Sequence, residues 1–227
     1  DGQICLVDGD SVQPLVAVAA IPITFGGNAS YNIANALAAS AALWGLGIGE
    51  DHIRQGLTSF LPDAQYNPGR QNLFAIGRQS VLIDYAHNVA GIQGLSQLAR
   101  TLTKGKLLGV IAAPGNRRTA TIYAVGEAAG QGFDRLFIKE DRDRQGRAPG
   151  EVAEILRQGA IAAGLAPNAI EVFLEERTAL WAAFAAARPE DLIVVLYEDW
   201  DHTMALLDEF AREAPFLRRA YAIAGGI

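Results

Sequence analysis

Val81-Leu82-Ile83-Asp84-Tyr85-Ala86-His87-Asn88 is the stretch whose reading decides the fold. Its apolar start, with two β-branched side chains, predicts a buried strand. The chain then changes character, because an acid, an aromatic, a small residue, a histidine and an amide precede a helical pattern from about Ala90. In an open α/β sheet, polar side chains at the carboxyl end of a strand sit where ligands bind. The competing reading is an ordinary strand end whose Asp84 and Asn88 cap the next helix. The stretch alone leaves both open.

Working outward, strand and helix patterns alternate. Strands are predicted at 71–76, 80–85, 107–112, 135–139, 170–173 and 192–197, and helices at about 90–103, 119–130, 150–164, 176–188 and 201–213. That alternation predicts an α/β fold, a Rossmann-like, mostly parallel sheet with flanking helices and right-handed crossovers. The first of these strands is the candidate for antiparallel pairing. Upstream, Asp63 to Pro68 reads as a linker, dividing the chain into residues 1–67 and 68–227. The first part opens with short strands at 4–7, 15–20 and 21–25 around the turn Asp8-Gly9-Asp10. A hairpin of that size needs a larger sheet to complete it. Ser30 is the expected cap of a helix over about 31–46, and a second helix over about 49–60 stops at Pro62. The tail over 216–227 receives no assignment.

Composition narrows the function. The chain has 227 residues, half of them hydrophobic, and a formal net charge of −6. That length suffices for one sizeable core, and the acidic balance argues against general nucleic-acid binding. No apolar run is long enough to cross a bilayer and no basic-then-apolar leader opens the chain, so no membrane partner is expected. A single cysteine, Cys5, suits a reducing cytoplasm. The only methionine is Met204, which reads as a piece of a longer protein.

Local chemistry is richer than the average. Asn32 and Asn35 lie three apart on a helix and face one side. Ala113 to Arg118 follows a strand and opens a helix, a place where Gly115, Asn116 and Arg117 suit a phosphate or carboxylate. A plain strand-to-helix turn is the alternative. Lys139-Glu140-Asp141-Arg142-Asp143-Arg144 ends another strand and carries charge to the same rim, whereas Glu198-Asp199 reads as helix entry. Arg117, Arg118, Arg142, Arg144 and Arg147 suggest an anionic ligand as a group, although any one of them alone is ordinary surface charge. The sequence has no G-x-x-x-x-G-K-[ST] loop, no G-x-G-x-x-G fingerprint and no G-x-S-x-G elbow. His52, His87 and His202 lack metal-ligand spacing, so no metal site is expected here.

Several motifs in order carry a resemblance. They are Ile21 to Gly27, Tyr31 to Ala39, Asn67 to Phe74, Asp84 to Asn88, Pro114 to Arg118, Lys139-Glu140-Asp141 and Gly146-Arg147. Together they resemble the Mur ligase superfamily, most closely the carboxyl-terminal part of its cyanophycin synthetase branch. The resemblance implies an ATP-dependent ligase in which a carboxylate attacks the γ-phosphate and an amine captures the acyl phosphate. It implies ATP and Mg2+ as cofactors, with the phosphate loop and most metal ligands in upstream domains of the same chain. Residues 1–67 would end that central domain, and 68–227 would form the mobile third domain that closes over the nucleotide.

Residue by residue, the resemblance puts Asn35, with Asn32 nearby, on the adenine side, Arg70 at the phosphates and Asp84 at the ribose. His87 and Asn88 would stand near the reacting phosphate or incoming amino acid. Gly115, Asn116 and Arg117 would lie on the substrate side, with Glu140 and Asp141 holding an arginine guanidinium. In the cyanophycin synthetase branch this half adds arginine to the β-carboxylate of aspartate. The implied partners are ATP, an amino acid, a peptide or polymer, and further copies in a homo-oligomer. The chain departs from the family pattern at Val89, Asn116 and Arg142. Two other readings stand beside this one, namely a degenerate nucleotide- or peptide-binding lobe and an assembly domain.

Overall fold

The computed structural model describes residues 2–213 and 219–220. Two strands, β1 (Gln3–Asp8) and β2 (Ser11–Ala17), pair antiparallel around a two-residue turn, where Gly9 takes a φ of +57°. Helices α1 (Ser30–Gly45) and α2 (Glu50–Ser59) follow. Ile4, Leu6, Leu15, Ile21, Ala36 and Ile53 form a small core among these elements.

The expected strand over 21–25 does not form. Pro22–Thr24 is a 3-10 turn, preceded by another at Val18–Ala20. The reason is Thr24, fully buried, whose hydroxyl donates toward the carbonyls of Val18 and Ile21, each at 2.8 Å. A side chain that satisfies nearby backbone groups competes with strand pairing, and Phe25 then takes a left-handed φ of +51°. Nor does Ser30 cap α1, since the capping position is Ala29, which makes no side-chain cap hydrogen bond.

The larger sheet contains β3 (Asn72–Ile76), β4 (Gln79–Asp84), β5 (Leu107–Ile111), β6 (Arg135–Ile138), β7 (Ile170–Val172), β8 (Leu192–Leu196) and β9 (Arg219–Ala220). Their spatial order is β7-β6-β5-β8-β4-β3-β9. The five strands from β7 to β4 run parallel, and β3 pairs antiparallel with both β4 and β9. The short β9 falls within the unassigned tail, the rest of which lies outside the described residues.

Every residue of β5 and β8 is buried, as expected for central parallel strands covered on both faces. On one face pack α3 (Val89–Leu102), α4 (Thr119–Gly132) and α5 (Glu151–Ala162). On the other lie α6 (Glu176–Ala186) and α7 (Trp200–Glu213). Alternation within one strand divides the cores, so that in β4 Leu82 faces the first layer while Val81 and Ile83 face the second. The carboxyl ends of β4, β5, β6 and β8 therefore open on one rim of the sheet.

Candidate functional site

Asp84 ends β4 and is only 5% exposed. One carboxylate oxygen, Oδ2, accepts from the backbone N–H of Gln71 at 3.0 Å. Burial pushes this carboxyl above its ordinary value, opposed by the Gln71 N–H and the Arg70 charge. It does not cap the next helix. The turn over it is tightly specified. Gly69 has a φ of +74°, and a Cβ there would fall 1.9 Å from the Tyr197 hydroxyl. Gln71 also has a positive φ, +51°, and Asn72 Oδ1 accepts from the Gly69 N–H at 2.7 Å. This turn delivers Arg70, whose guanidinium lies 5.2 Å from the centroid of the Tyr85 ring. Among the described residues that guanidinium forms no ion pair.

A cavity of about 610 Å³ opens between this turn, α1 and the start of α3. Its walls include Asn32, Asn35, Arg70, Asp84, His87 and Asn88, all the residues expected on the nucleotide and catalytic side. Their duties differ. The Asn32 amide nitrogen donates to the Ile23 carbonyl and to Gln71 Oε1, each at 2.6 Å, tying α1 to the Gln71 turn. Asn35 is exposed, with one bond from its amide nitrogen to Asn32 Oδ1 at 3.3 Å. Asn88 caps α3, accepting from the Gly91 N–H at 2.8 Å, so the capping reading holds for this residue. His87 Nδ1 lies 3.0 Å from the Tyr85 carbonyl. A carbonyl only accepts, so Nδ1 is the donor in this contact.

The segment Tyr85-Ala86-His87 also walls a second cavity, of about 190 Å³. Here the ends of β5, β6 and β8 contribute Asn116, Asp141, Asp143, Tyr197 and Glu198. Burial lifts the Asp141 carboxyl above its usual range, Lys139 acts against that, and Glu198 and Glu176 add to it. Glu198 accepts from the Arg142 N–H at 2.8 Å, while Asp199 caps the entry to α7 through the His202 N–H. The helix-entry reading thus suits Asp199 and misses Glu198.

Three expected substrate residues line neither cavity. The loop of Gly115 and Arg117 turns carbonyls inward, where Arg147 donates to Gly115 O at 2.8 Å and Arg117 O at 2.7 Å. A Cβ at Gly115 would meet the Arg144 carbonyl at 2.2 Å, so the packing of the two loops by itself requires glycine there. Glu140 is 4% exposed, and among the described residues its Oε1 has no hydrogen-bond partner. Arg142 pairs with Asp199 and not with Asp141, whose cation is Lys139.

The sequence reading gives no site role to Tyr31 and Gln71 at the larger cavity or to Tyr197 at the smaller one, leaves Tyr85 and Asp143 without roles inside stretches it singles out, and takes Glu198 for helix entry. Those directly after a strand on this rim, such as Tyr85 and Tyr197, carried a positional signal. Tyr31 did not, since its contact with Gly94 on α3 is purely tertiary. Among the described residues no group of three or more His, Cys, Asp or Glu could hold a metal ion. No described helix is long and apolar enough to cross a membrane.

The geometry describes two unlike sites sharing one wall. The larger offers a free guanidinium, amides and one buried carboxylate, a set suited to phosphate and hydroxyl groups. The smaller offers carboxylates beside tyrosines, a set suited to a cation. His87 stands between them.

Comparison with known proteins gives the family. The family model for the glutamate ligase domain of Mur ligases matches residues 69–196. Cyanophycin synthetase from Synechocystis sp. is 37% identical over 207 residues, covering 91% of this chain and 23% of that protein. The chain thus spans about a quarter of the length of such relatives. UDP-N-acetylmuramoyl-L-alanyl-D-glutamate–2,6-diaminopimelate ligase from Alkalilimnicola ehrlichii is 32% identical, over 73% of this chain and 32% of its own length. Among solved structures, E. coli FolC in complex with DHPP and ADP superposes with a TM-score of 0.56 at 25% identity, over 79% of this chain and 39% of FolC. The motif order, the mostly parallel sheet and the match over its central span agree, and the chain belongs to the Mur ligase family through its glutamate ligase domain.

Proposed function

We propose that this chain is the carboxyl-terminal part of an ATP-dependent amide ligase of the cyanophycin synthetase type, adding arginine to the β-carboxylate of aspartate through an acyl phosphate. The observation that carries the reading is the shared wall, Tyr85-Ala86-His87, between an anion-suited and a cation-suited cavity. A volume of about 610 Å³ falls within the range of small-molecule and cofactor sites, and the FolC structure of the same fold was solved with ADP. ATP, when bound, supplies the phosphoryl group that activates the acceptor carboxylate.

In this reading Arg70 holds phosphate oxygens, Asp84 accepts from ribose hydroxyls, and Asn35 meets the base. Asp141 and Glu198 hold the incoming cationic amino acid. His87, on the wall common to both cavities, takes the proton that the amine loses as the amide forms. A closed lobe keeps water from the activated carboxylate. Mg2+ and the phosphate loop are assigned to the remainder of the ligase, as no such loop occurs in this sequence.

The domain division follows the same reading, with residues 1–67 belonging to the central domain and 68–227 to the third. The surface of α1 supports it. Leu37 and Leu43 on that helix, and Leu46 just beyond it, are exposed, and a helix apolar on all sides normally packs against protein. The reading also includes a cytoplasmic, homo-oligomeric ligase. Calorimetry with Mg-ATP tests the central assignment. The 227-residue chain should bind ATP weakly and hydrolyse none, whereas tight magnesium-dependent binding would contradict the placing of the phosphate loop elsewhere.

A further inference from the structure

Lys139 follows β6 and is fully buried. Its Nζ donates to Glu176 Oε2 at 3.0 Å, and Glu176 Oε1 accepts from the buried hydroxyl of Thr203. Burying a lysine–glutamate pair is a poor route to stability, since apolar residues of like volume serve as well or better. Something else must explain a charge there. Among the described residues, the other carboxylate within ion-pair reach of Lys139 is Asp141, at 3.7 Å. That distance is too long for a strong hydrogen bond and short enough to orient the carboxylate from beneath.

We propose that Lys139 and Glu176 are positioning residues that hold Asp141 at the wall of the smaller cavity with its hydrogen-bonding capacity free for a cationic ligand. Glu176, fixed by α6 and by Thr203 on α7, keeps the ammonium engaged on its own side. Lys139 therefore steadies Asp141 without satisfying it. Neither residue lines the cavity, and both act through Asp141. The inference rests on the reading of that cavity as the amine-acceptor site.

The test uses steady-state amide formation by the complete ligase, with L-arginine as the varied probe. The double variant Lys139→Met with Glu176→Leu removes both buried charges together, and circular dichroism checks its fold. Glu176→Gln serves as the isosteric second variant, freeing Lys139 to close on Asp141. Each should raise the arginine KM by about tenfold, a larger change than in kcat, while the ATP KM stays within about twofold. If Asp141→Asn raises the arginine KM and a folded double variant and Glu176→Gln do not, the positioning role is overturned. An unchanged arginine KM in Asp141→Asn overturns the acceptor-site reading itself, and this inference with it.

Discussion

The two cavities share Tyr85-Ala86-His87 yet are built on opposite plans. The larger sets a cation, Arg70, on a flat aromatic ring and keeps its one acid, Asp84, buried beneath a turn. The smaller collects acids, and a buried cation, Lys139, lies beneath one of them, Asp141. In each, one charge of the wall is backed by its opposite underneath. One strand end thus carries two walls of opposite charge, with the backing charges fixed by different elements. The turn at residues 69–71 fixes one, and α6 with α7 fixes the other.

The largest effect is expected where the two cavities meet, because Gly69 packs on Tyr197, a residue of the smaller cavity's wall. Gly69→Ala forces a Cβ against Tyr197 at 1.9 Å and strains a φ of +74°. Overpacking of that kind costs roughly 1–3 kcal/mol, and a left-handed alanine about 1–2 more. Thermal melting should show a clear loss of stability, with affinity for both ligands falling as well. Gly115→Ala meets the Arg144 carbonyl at 2.2 Å and should instead impair arginine use. An equal loss of nucleotide affinity in Gly115→Ala would merge the cavities into one site.

Arg70→Ala leaves the fold intact and removes the charged donor. A hydrogen bond to a charged group contributes roughly 1.5–3 kcal/mol, so kcat/KM for ATP in the complete ligase should fall about tenfold or more. Arginine binding should be little affected, and parental ATP kinetics would remove Arg70 from the phosphate site.

The acid pair at the end of β6 separates on the same logic. Asp141 lines the smaller cavity and Glu140 does not. Asp141→Asn should weaken arginine relative to lysine as acceptor, and Glu140→Gln should leave that preference alone. The opposite result would return the guanidinium to Glu140.

The smallest effect concerns Asp84. Its carboxyl is raised in the fold, chiefly by burial, so its ionised form is disfavoured relative to the unfolded chain. Stability at this position is greatest when the group is protonated and declines as pH rises through the raised value. At neutral pH Asp84→Asn should therefore melt slightly higher, by roughly 2–4 °C per kcal/mol of penalty relieved, while binding ATP less well. A lower melting point would show that the bond from the Gln71 N–H outweighs desolvation.

Much of this was legible in the sequence. Runs such as Leu192 to Leu196 can satisfy their side chains only in a covered sheet, so every large-sheet strand from β3 to β8 lies within about a residue of its expected place. The resemblance brought forward Asn35, Arg70, Asp84 and His87, which the fold gathers at one cavity. What stayed hidden depends on distant partners. Nothing local reveals that Thr24 would bend its segment, that Lys139 would be buried against Glu176, or that Arg147 would occupy the Gly115 loop. Side-chain neighbours far apart in the chain leave no periodicity to read.

The claim of two opposed cavities on one wall is tested most directly by amide chemical-shift mapping of this chain with ADP and, separately, with L-arginine. ADP should perturb Asn35, Arg70 and Asp84, arginine should perturb Asp141, Tyr197 and Glu198, and His87 should respond to both. If both ligands perturb the same set, or arginine perturbs the Arg70 side alone, the account is contradicted.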